Sequence, residues 1–289
     1  MTIMTRTELF GTLTEAARTV YDKREAEAVA RTIADKLLGI SRLELALEPW
    51  AEVETATFGT TLAKVLADLR AGRPVQYIVG SADFCGITLD VEEGVLIPRP
   101  ETEELVAWIA TETRAGARIL DIGTGSGAIA VALAAHVVES HVYGIDISAA
   151  ALRVAARNVV KCGVDVSLFQ ADALAPLAKW DGEWIAGSFD VVVSNPPYVP
   201  QSDIARIHLN VKGFEPREAL FVPDDNPLIF YRAVAEKALI LLRRGGALYF
   251  EIYETASSQV VQLLGSMGFI DIELKQDFNG KDRMIRCKL

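Results

Sequence analysis

Cysteine, histidine, long apolar runs and positive charge are all scarce in this chain, and each scarcity removes a class of protein. Cys85, Cys162 and Cys287 are scattered and odd in number, which supplies neither a disulfide framework nor the paired spacing of a metal site. His136, His141 and His208 also lack ligand spacing, so no metal is expected. Apolar stretches such as Val191–Val193 fall far short of the ~20 consecutive residues that a membrane-spanning helix needs. The N-terminus, MTIMTRTELF, has no apolar segment of the signal-peptide kind, so the chain is expected to remain in the cytoplasm. Lys and Arg number 29 against 39 Asp and Glu, a net charge of −10, and that field repels polyanions. Nucleic acid is therefore a disfavoured partner, unless Arg70, Arg73 and Arg99 gather into a local basic patch. Internal repeats and low-complexity tracts are absent.

What remains is an ordinary globular composition with 51% hydrophobic residues, and 289 residues leave room for about two domains of ~150. Up to about Ala71 the pattern is helical. Thr5 with Glu8, Asp22 with Glu25 and Ser41 with Glu44 each set a capping oxygen three residues before a glutamate. Ala26, Val29, Ala30, Ile33, Leu37 and Leu38 recur at three and four, one buried stripe of a small bundle assigned to residues 1–75. Gly72 and Pro74 are expected to end its last helix. Residues 76–98 carry short β-like runs, Tyr77–Val79, Ile87–Val91 and Val95–Ile97, and are expected to form a hairpin linker. Over 99–289 the apolar runs Arg118–Ile122, His141–Ile145, Val164–Phe169 and Phe189–Ser194 predict buried parallel strands with helices between them. FIDIEL and RMIRCKL predict an antiparallel edge. The fold class is therefore α/β, a mostly parallel doubly wound sheet with an antiparallel edge, plus the helical bundle.

The first strand runs into Asp121-Ile122-Gly123-Thr124-Gly125-Ser126-Gly127 and then the helical run AIAVALAAHV. A glycine loop between a strand's carboxyl end and a helix N-terminus fits a nucleotide-bearing cofactor, because N–H groups and the helix dipole converge there. Asp146 closes the next strand, 23 residues after Gly123, where a carboxylate can accept from ribose hydroxyls. Gly123, Gly125 and Ala128 also satisfy the dinucleotide fingerprint G-x-G-x-x-A, so a nicotinamide oxidoreductase stays open at this point.

The strand Phe189–Ser194 ends in Asn195-Pro196-Pro197-Tyr198. In a parallel sheet this end shares an edge with the glycine loop, so both motifs face one crevice. Prolines bring carbonyl acceptors and no N–H, Asn195 adds an amide oxygen, and Tyr198 adds an aromatic face. That set suits a planar group bearing NH₂, whose two hydrogens are held by acceptors while its ring or plane packs on the aromatic. Such a nitrogen is a poor nucleophile because its lone pair is delocalised. Acceptors on its hydrogens favour the positive charge that grows as a methyl group arrives.

Together the segment RPVQYIVGSADFCGITLDVEEGVLIPRPETEELV, the loop DIGTGSGAIA, the tetrapeptide NPPY and FEPREAL at Phe214–Leu220 make the chain resemble the release-factor glutamine methyltransferases over nearly its whole length. LIPRPETE at Leu96–Glu103 is the most family-specific stretch. NPPY is shared with nucleic-acid amino-methyltransferases. The resemblance implies a class I S-adenosylmethionine-dependent methyltransferase fold; because every residue with a chemical role lies beyond Leu96, the helical residues 1–75 are expected to recognise the protein substrate. It implies S-adenosylmethionine as cofactor, contacted by Gly123, Thr124, Gly125, Ser126, Gly127, Asp146, Asp172, Ala173 and Asn195. The substrate amide would meet Asn195, Pro196, Pro197 and Tyr198, with Asn195, Pro196 and Tyr198 carrying the catalysis. Implied too are a peptide-chain release factor as partner, a monomer, no stable nucleic-acid binding and no membrane. Two positions depart from the family pattern: Tyr253, where glycine is common, and Ala173, where a larger residue is common. An enzyme methylating an exocyclic amino group of a base, and a non-catalytic adaptor on the same fold, are the remaining alternatives. Arg99 with Glu101 reads as either a surface pair or, being near the hairpin, a closure on the cofactor side, and the Phe214–Pro216 stretch as either a packed surface loop or a substrate contact.

Overall fold

A computed structural model describes residues 3–54, 62–180 and 184–289, and the chain divides into two compact units. One comprises Met1–Ser81 with His208–Phe214, the other Ala82–Ile207 with Glu215–Leu289. The break falls at residue 81 rather than 75, and a segment distant in sequence joins the first unit.

The first unit is helical: Arg6–Ala17, Lys23–Leu38, Arg42–Leu47, Leu62–Arg70, Val75–Val79 and the late Leu209–Phe214, with Ile3–Thr5 and Glu52–Glu54 as a short antiparallel pair. The three expected N-caps are present. Thr5 and Ser41 form reciprocal capping boxes with Glu8 and Glu44, and Asp22 accepts from the Glu25 N–H at 2.9 Å. Leu9, Leu13, Ala26, Ile33 and Leu69 are the buried centre. Tyr21 stacks on His208 at 6.1 Å and its hydroxyl accepts from Asn210 at 3.3 Å. The expected strand at Tyr77–Val79 is a helix instead. Pro74 starts it, its carbonyl accepting from Tyr77 and Ile78, and Val75, Ile78 and Val79 fall at i, i+3, i+4 and pack on the bundle core.

The second unit is built on a seven-stranded sheet: β1 (Arg118–Ile122), β2 (His141–Asp146), β3 (Val166–Gln170), β4 (Phe189–Ser194), β5 (Leu242–Glu251), β6 (Ile270–Gln276) and β7 (Asp282–Lys288). Its order is β6-β7-β5-β4-β1-β2-β3, parallel from β5 to β3 and antiparallel where β7 meets β5 and β6. Alternate residues feed two cores, one on each face. Leu120, Ile122, Val192, Leu248 and Phe250 pack with helices Ile229–Leu241 and Ser257–Ser266. Ile119, Val191, Val193 and Tyr249 pack with helices Pro100–Glu112 and Ala128–His136. Burial on both faces is why these strands read as continuous apolar runs.

The hairpin forms from Ser81–Phe84 and Ile87–Asp90, turning at Cys85 and Gly86 with φ of 48° and 76°, the two positive values a tight primed turn requires. The Cys85 carbonyl bonds with His136 Nε2 at 3.1 Å, and Asn158 bridges Asp90 to the glycine loop by accepting from Asp90 N–H and donating to the Asp90 and Ser126 carbonyls. Val95–Ile97, expected as a strand, is irregular; Val95 and Ile97 are buried side chains on a loop. Burial pushes the Cys85 and Cys287 thiols up to about 12, which disfavours the thiolate form. Among the described residues no His, Cys, Asp and Glu cluster could hold a metal, and no helix is long and apolar enough to cross a membrane.

Candidate active site

Register places the two motifs side by side. Asp121 on β1 pairs with Val193 on β4, and Ile122 pairs with Ile145 on β2, so the strands stop together at one edge. Ser194 Oγ donates to the Ile122 carbonyl at 2.6 Å and ties the root of Asn195 to the root of the glycine loop.

The loop curls because Gly123, Gly125 and Gly127 hold φ of +80°, +57° and +80°, values a side chain rarely adopts. Around Gly123 and Gly125 a Cβ would meet nothing within 4 Å, so the loop backbone borders open space. At Gly127 it would sit 3.1 Å from the Ala155 Cβ, so this glycine serves helix packing. Thr124 turns inward and donates to the Asp121 carboxylate at 2.6 Å. That side chain fits only because position 144 is glycine, where a Cβ would lie 3.1 Å from Thr124 Oγ1 and 2.9 Å from Leu168. Asp121 is fully buried, and burial pushes its pKa up to about 7.

Asp146 accepts from the Gly125 N–H through one oxygen and from the Ser148 N–H through the other, both at 2.8 Å. Burial raises its pKa against these two bonds. A carboxylate has about four lone-pair directions, so two bonds anchor the group and leave acceptor capacity for a diol. Asp172 spends one carboxylate oxygen on the Leu174 N–H at 2.8 Å, while its carbonyl accepts from the Trp180 indole at 2.8 Å, which fixes the Asp172–Ala173 turn. Ala173 packs against the core on that side.

Asn195 is half-buried, Pro196 buried, and Pro197 and Tyr198 half-buried. The Asn195 NH₂ donates to Thr102 Oγ1 at 3.3 Å. Thr102, in the first turn of helix Pro100–Glu112, donates in turn to Glu251 Oε2 at 2.6 Å, and the Tyr198 hydroxyl donates to Glu251 Oε1 at 3.0 Å. Glu251 ends β5 and is 1% exposed. Burial raises its pKa, opposed by those two hydroxyls and by the nearby Arg283. Burial and the Glu251 charge hold the Tyr198 phenol well above its ordinary range, so it stays a neutral donor. Its ring stacks on Tyr253 at 5.8 Å, and Tyr253 is fixed by donating to Asp203 at 2.9 Å. Tyr253, a departure from the pattern the resemblance implies, thus supports the aromatic face of the motif.

Arg99 pairs with Glu215 at 2.6 Å, not with Glu101. Glu215 is buried and also accepts from the Ile97 N–H at 3.2 Å, so LIPRPETE and FEPREAL meet through this carboxylate, and Glu215 is no surface-loop residue. Thr102, Glu251, Asp121 and Gly144 were not among the expected site residues. Their signals are faint: a carboxylate closing an apolar strand in GGALYFEI, another inside RILDI with a hydroxyl three residues on, and a glycine inside a strand.

The chain matches two protein families, the "PrmC N-terminal domain" over residues 12–80 and the "Methyltransferase small domain" over residues 101–210. Proteins named release factor glutamine methyltransferase are similar over most of its length. That of Flavobacterium psychrophilum is 38% identical over 277 residues, covering 94% of this chain and 95% of that one. That of Lactococcus lactis is 39% identical over 282 residues, covering 95% and 98%. Among solved structures, a methyltransferase from Pyrococcus furiosus superposes with a TM-score of 0.52 at 18% identity, covering 70% of this chain and 89% of that one, a likeness of fold. With this fold, a glycine loop and NPPY on one sheet edge, and relatives matched nearly end to end, the chain belongs to the release factor glutamine methyltransferase family.

Proposed function

We propose that the protein transfers a methyl group from S-adenosylmethionine to the side-chain amide nitrogen of the glutamine in the Gly-Gly-Gln motif of a peptide-chain release factor. The observation that carries this reading is the joining of Asn195 to the glycine loop by the Ser194–Ile122 hydrogen bond. An acceptor for a planar NH₂ and a cradle for a nucleoside thereby share one edge. The residues present fit the cofactor: positive-φ glycines that leave room against their backbone, an anchored carboxylate with spare lone pairs at Asp146, and a fixed turn at Asp172.

Gly123 to Gly127 would hold the cofactor's amino-acid part, Asp146 its ribose, and Asp172 and Ala173 its base, with Asn195 toward its methyl group. When bound, S-adenosylmethionine supplies an electrophilic methyl carbon on a positively charged sulfur. The protein does the rest by placement. Asn195 Oδ1 and the Pro196 carbonyl accept the two hydrogens of the glutamine amide, and the Tyr198 ring packs against its plane. These acceptors stabilise positive charge growing on nitrogen more than they stabilise the resting amide. Prolines suit this position because they add acceptors and no competing N–H. The nitrogen, once methylated, carries an acidic proton and needs no strong base. Glu251 is not one, since both its oxygens already accept hydroxyl protons.

The helical unit is assigned to substrate recognition. A glutamine side chain offers little surface for selectivity, so binding energy must come from contacts away from the reacting atoms. Leu43 and Leu47, on one face of a short helix, and nearby Trp50 are exposed to 66, 71 and 77% and supply apolar surface for a protein. The net charge of −10 argues against a nucleic-acid substrate. A labelled-methyl assay offering release factor, ribosomal RNA and DNA in parallel tests the reading; label in the release factor supports it, and label in nucleic acid alone overturns it.

A further inference from the structure

Asn195 can hold a substrate amide only in one of its two amide orientations. A carboxamide has an acceptor end and a donor end, and rotation by half a turn about its last bond exchanges them at almost no intrinsic cost. With NH₂ toward the substrate, the site would present donors to donors. Some feature of the protein must fix which end faces outward.

We infer that Glu251, acting through Thr102, is a positioning residue that sets the hydrogen-bond polarity of Asn195. The reasoning rests on donor and acceptor capacity along one chain of atoms. Both Glu251 oxygens accept hydroxyl protons, one from Thr102 at 2.6 Å and the other from Tyr198 at 3.0 Å. A hydroxyl has one proton. Once Thr102 gives its proton to Glu251, only lone pairs remain for Asn195, so Asn195 must offer NH₂ there, as it does at 3.3 Å. Its Oδ1 is then the end left for substrate. Reversing the amide would set two acceptors against each other or take a proton from the short bond to Glu251.

The placement is built into the fold. Glu251 follows Phe250, which pairs with Ser194, so the carboxylate stands beside the root of Asn195 on the adjacent strand. Glu251 is 1% exposed and Thr102 3%, so water cannot substitute for either partner. A carboxyl group in so buried a place is costly unless hydrogen-bonded, and here both oxygens accept from groups that touch or belong to the NPPY motif.

This inference rests on the reading of Asn195 as the acceptor of the substrate amide, and the test separates the two. Methylation of intact release factor by the full chain is measured together with S-adenosylhomocysteine affinity and thermal midpoint for Thr102→Val, Thr102→Ser, Glu251→Gln, the Val/Gln double variant and Asn195→Ala. Thr102→Val should lower kcat ~10-fold or more, the scale of losing one oriented polar group, with cofactor affinity unchanged within ~2-fold. Thr102→Ser should restore most of that loss. Glu251→Gln should also lower kcat, and the double variant should be far less impaired than the product of the two single effects, because both break one chain. If Thr102→Val melts early, Thr102→Ala replaces it with the same expectation. Parental kcat in the hydroxyl-deleted variant, a serine variant as impaired as the valine one, or multiplicative effects would overturn the positioning role. An active Asn195→Ala would instead overturn the underlying reading, whereas an inactive one beside an unaffected Thr102→Val removes the positioning role alone.

Discussion

Removing the Asp146 carboxylate should weaken cofactor binding by about two to four orders of magnitude, and the geometry gives the reason. Its two oxygens accept backbone N–H bonds from Gly125 and Ser148, both at 2.8 Å, which anchors the group and leaves acceptor capacity for a diol. Two ribose hydroxyls bonded to a charged acceptor are worth ~1.5–3 kcal/mol each. Their loss in Asp146→Ala therefore amounts to ~3–6 kcal/mol, or about 10²–10⁴ in Kd at 1.4 kcal/mol per decade. Asp146→Asn should be milder but still costly, at ~10-fold or more, because an amide has one acceptor end while the protein wall presents two N–H donors. One donor would face an NH₂. Calorimetric titration with S-adenosylhomocysteine, on variants whose melting shows them folded, measures both. Parental affinity in both variants would refute the ribose assignment and with it the placement of the cofactor.

Asn195→Ala should cut kcat about 10²-fold with S-adenosylhomocysteine affinity changed only a few-fold, as expected for a polar group used mainly at the transition state; steady-state kinetics beside calorimetry tests the split. Gly144→Ala should cost ~1–3 kcal/mol of stability by driving a methyl into Leu168 and Thr124, read as a lowered thermal midpoint, and should loosen the glycine loop enough to weaken cofactor binding. Asp121 titrates at about 7 in the folded chain because it is buried, against ~3.9 when unfolded, so between those values the folded state holds a proton that the unfolded chain has released. Its contribution to stability therefore falls as pH rises from about 4 to about 7 and levels off above. Asp121→Asn should flatten that slope in denaturant melts across the range, and coincident slopes for variant and parent would show that Asp121 is not the group responsible.

Local rules and sheet topology were legible in the residues; contacts made across long sequence separations were not. Thr5, Asp22 and Ser41 announced helix starts because a cap bond spans only three residues. The shared edge of the glycine loop and NPPY followed from parallel strands, which must place equivalent ends together. Tyr77–Val79 misled because β-branched residues favour strands on average, while Val75, Ile78 and Val79 also match a single helical turn on an existing core. Val95 and Ile97 are apolar because they are buried, which needs no strand. Thr102 and Glu251 lie 149 residues apart, so only the assembled sheet brings them to Asn195. Likewise Arg99 reached past Glu101, its neighbour in sequence, to Glu215.

The central claim concerns one nitrogen atom. After incubation of purified release factor with the enzyme and S-adenosylmethionine, fragmentation mass spectrometry of the peptide containing Gly-Gly-Gln locates the added methyl. One methyl on the glutamine side-chain amide, formed about 10²-fold more slowly with Asn195→Ala, is the predicted result. A methyl on any other residue, or an unmodified glutamine beside methylated nucleic acid, would contradict the account.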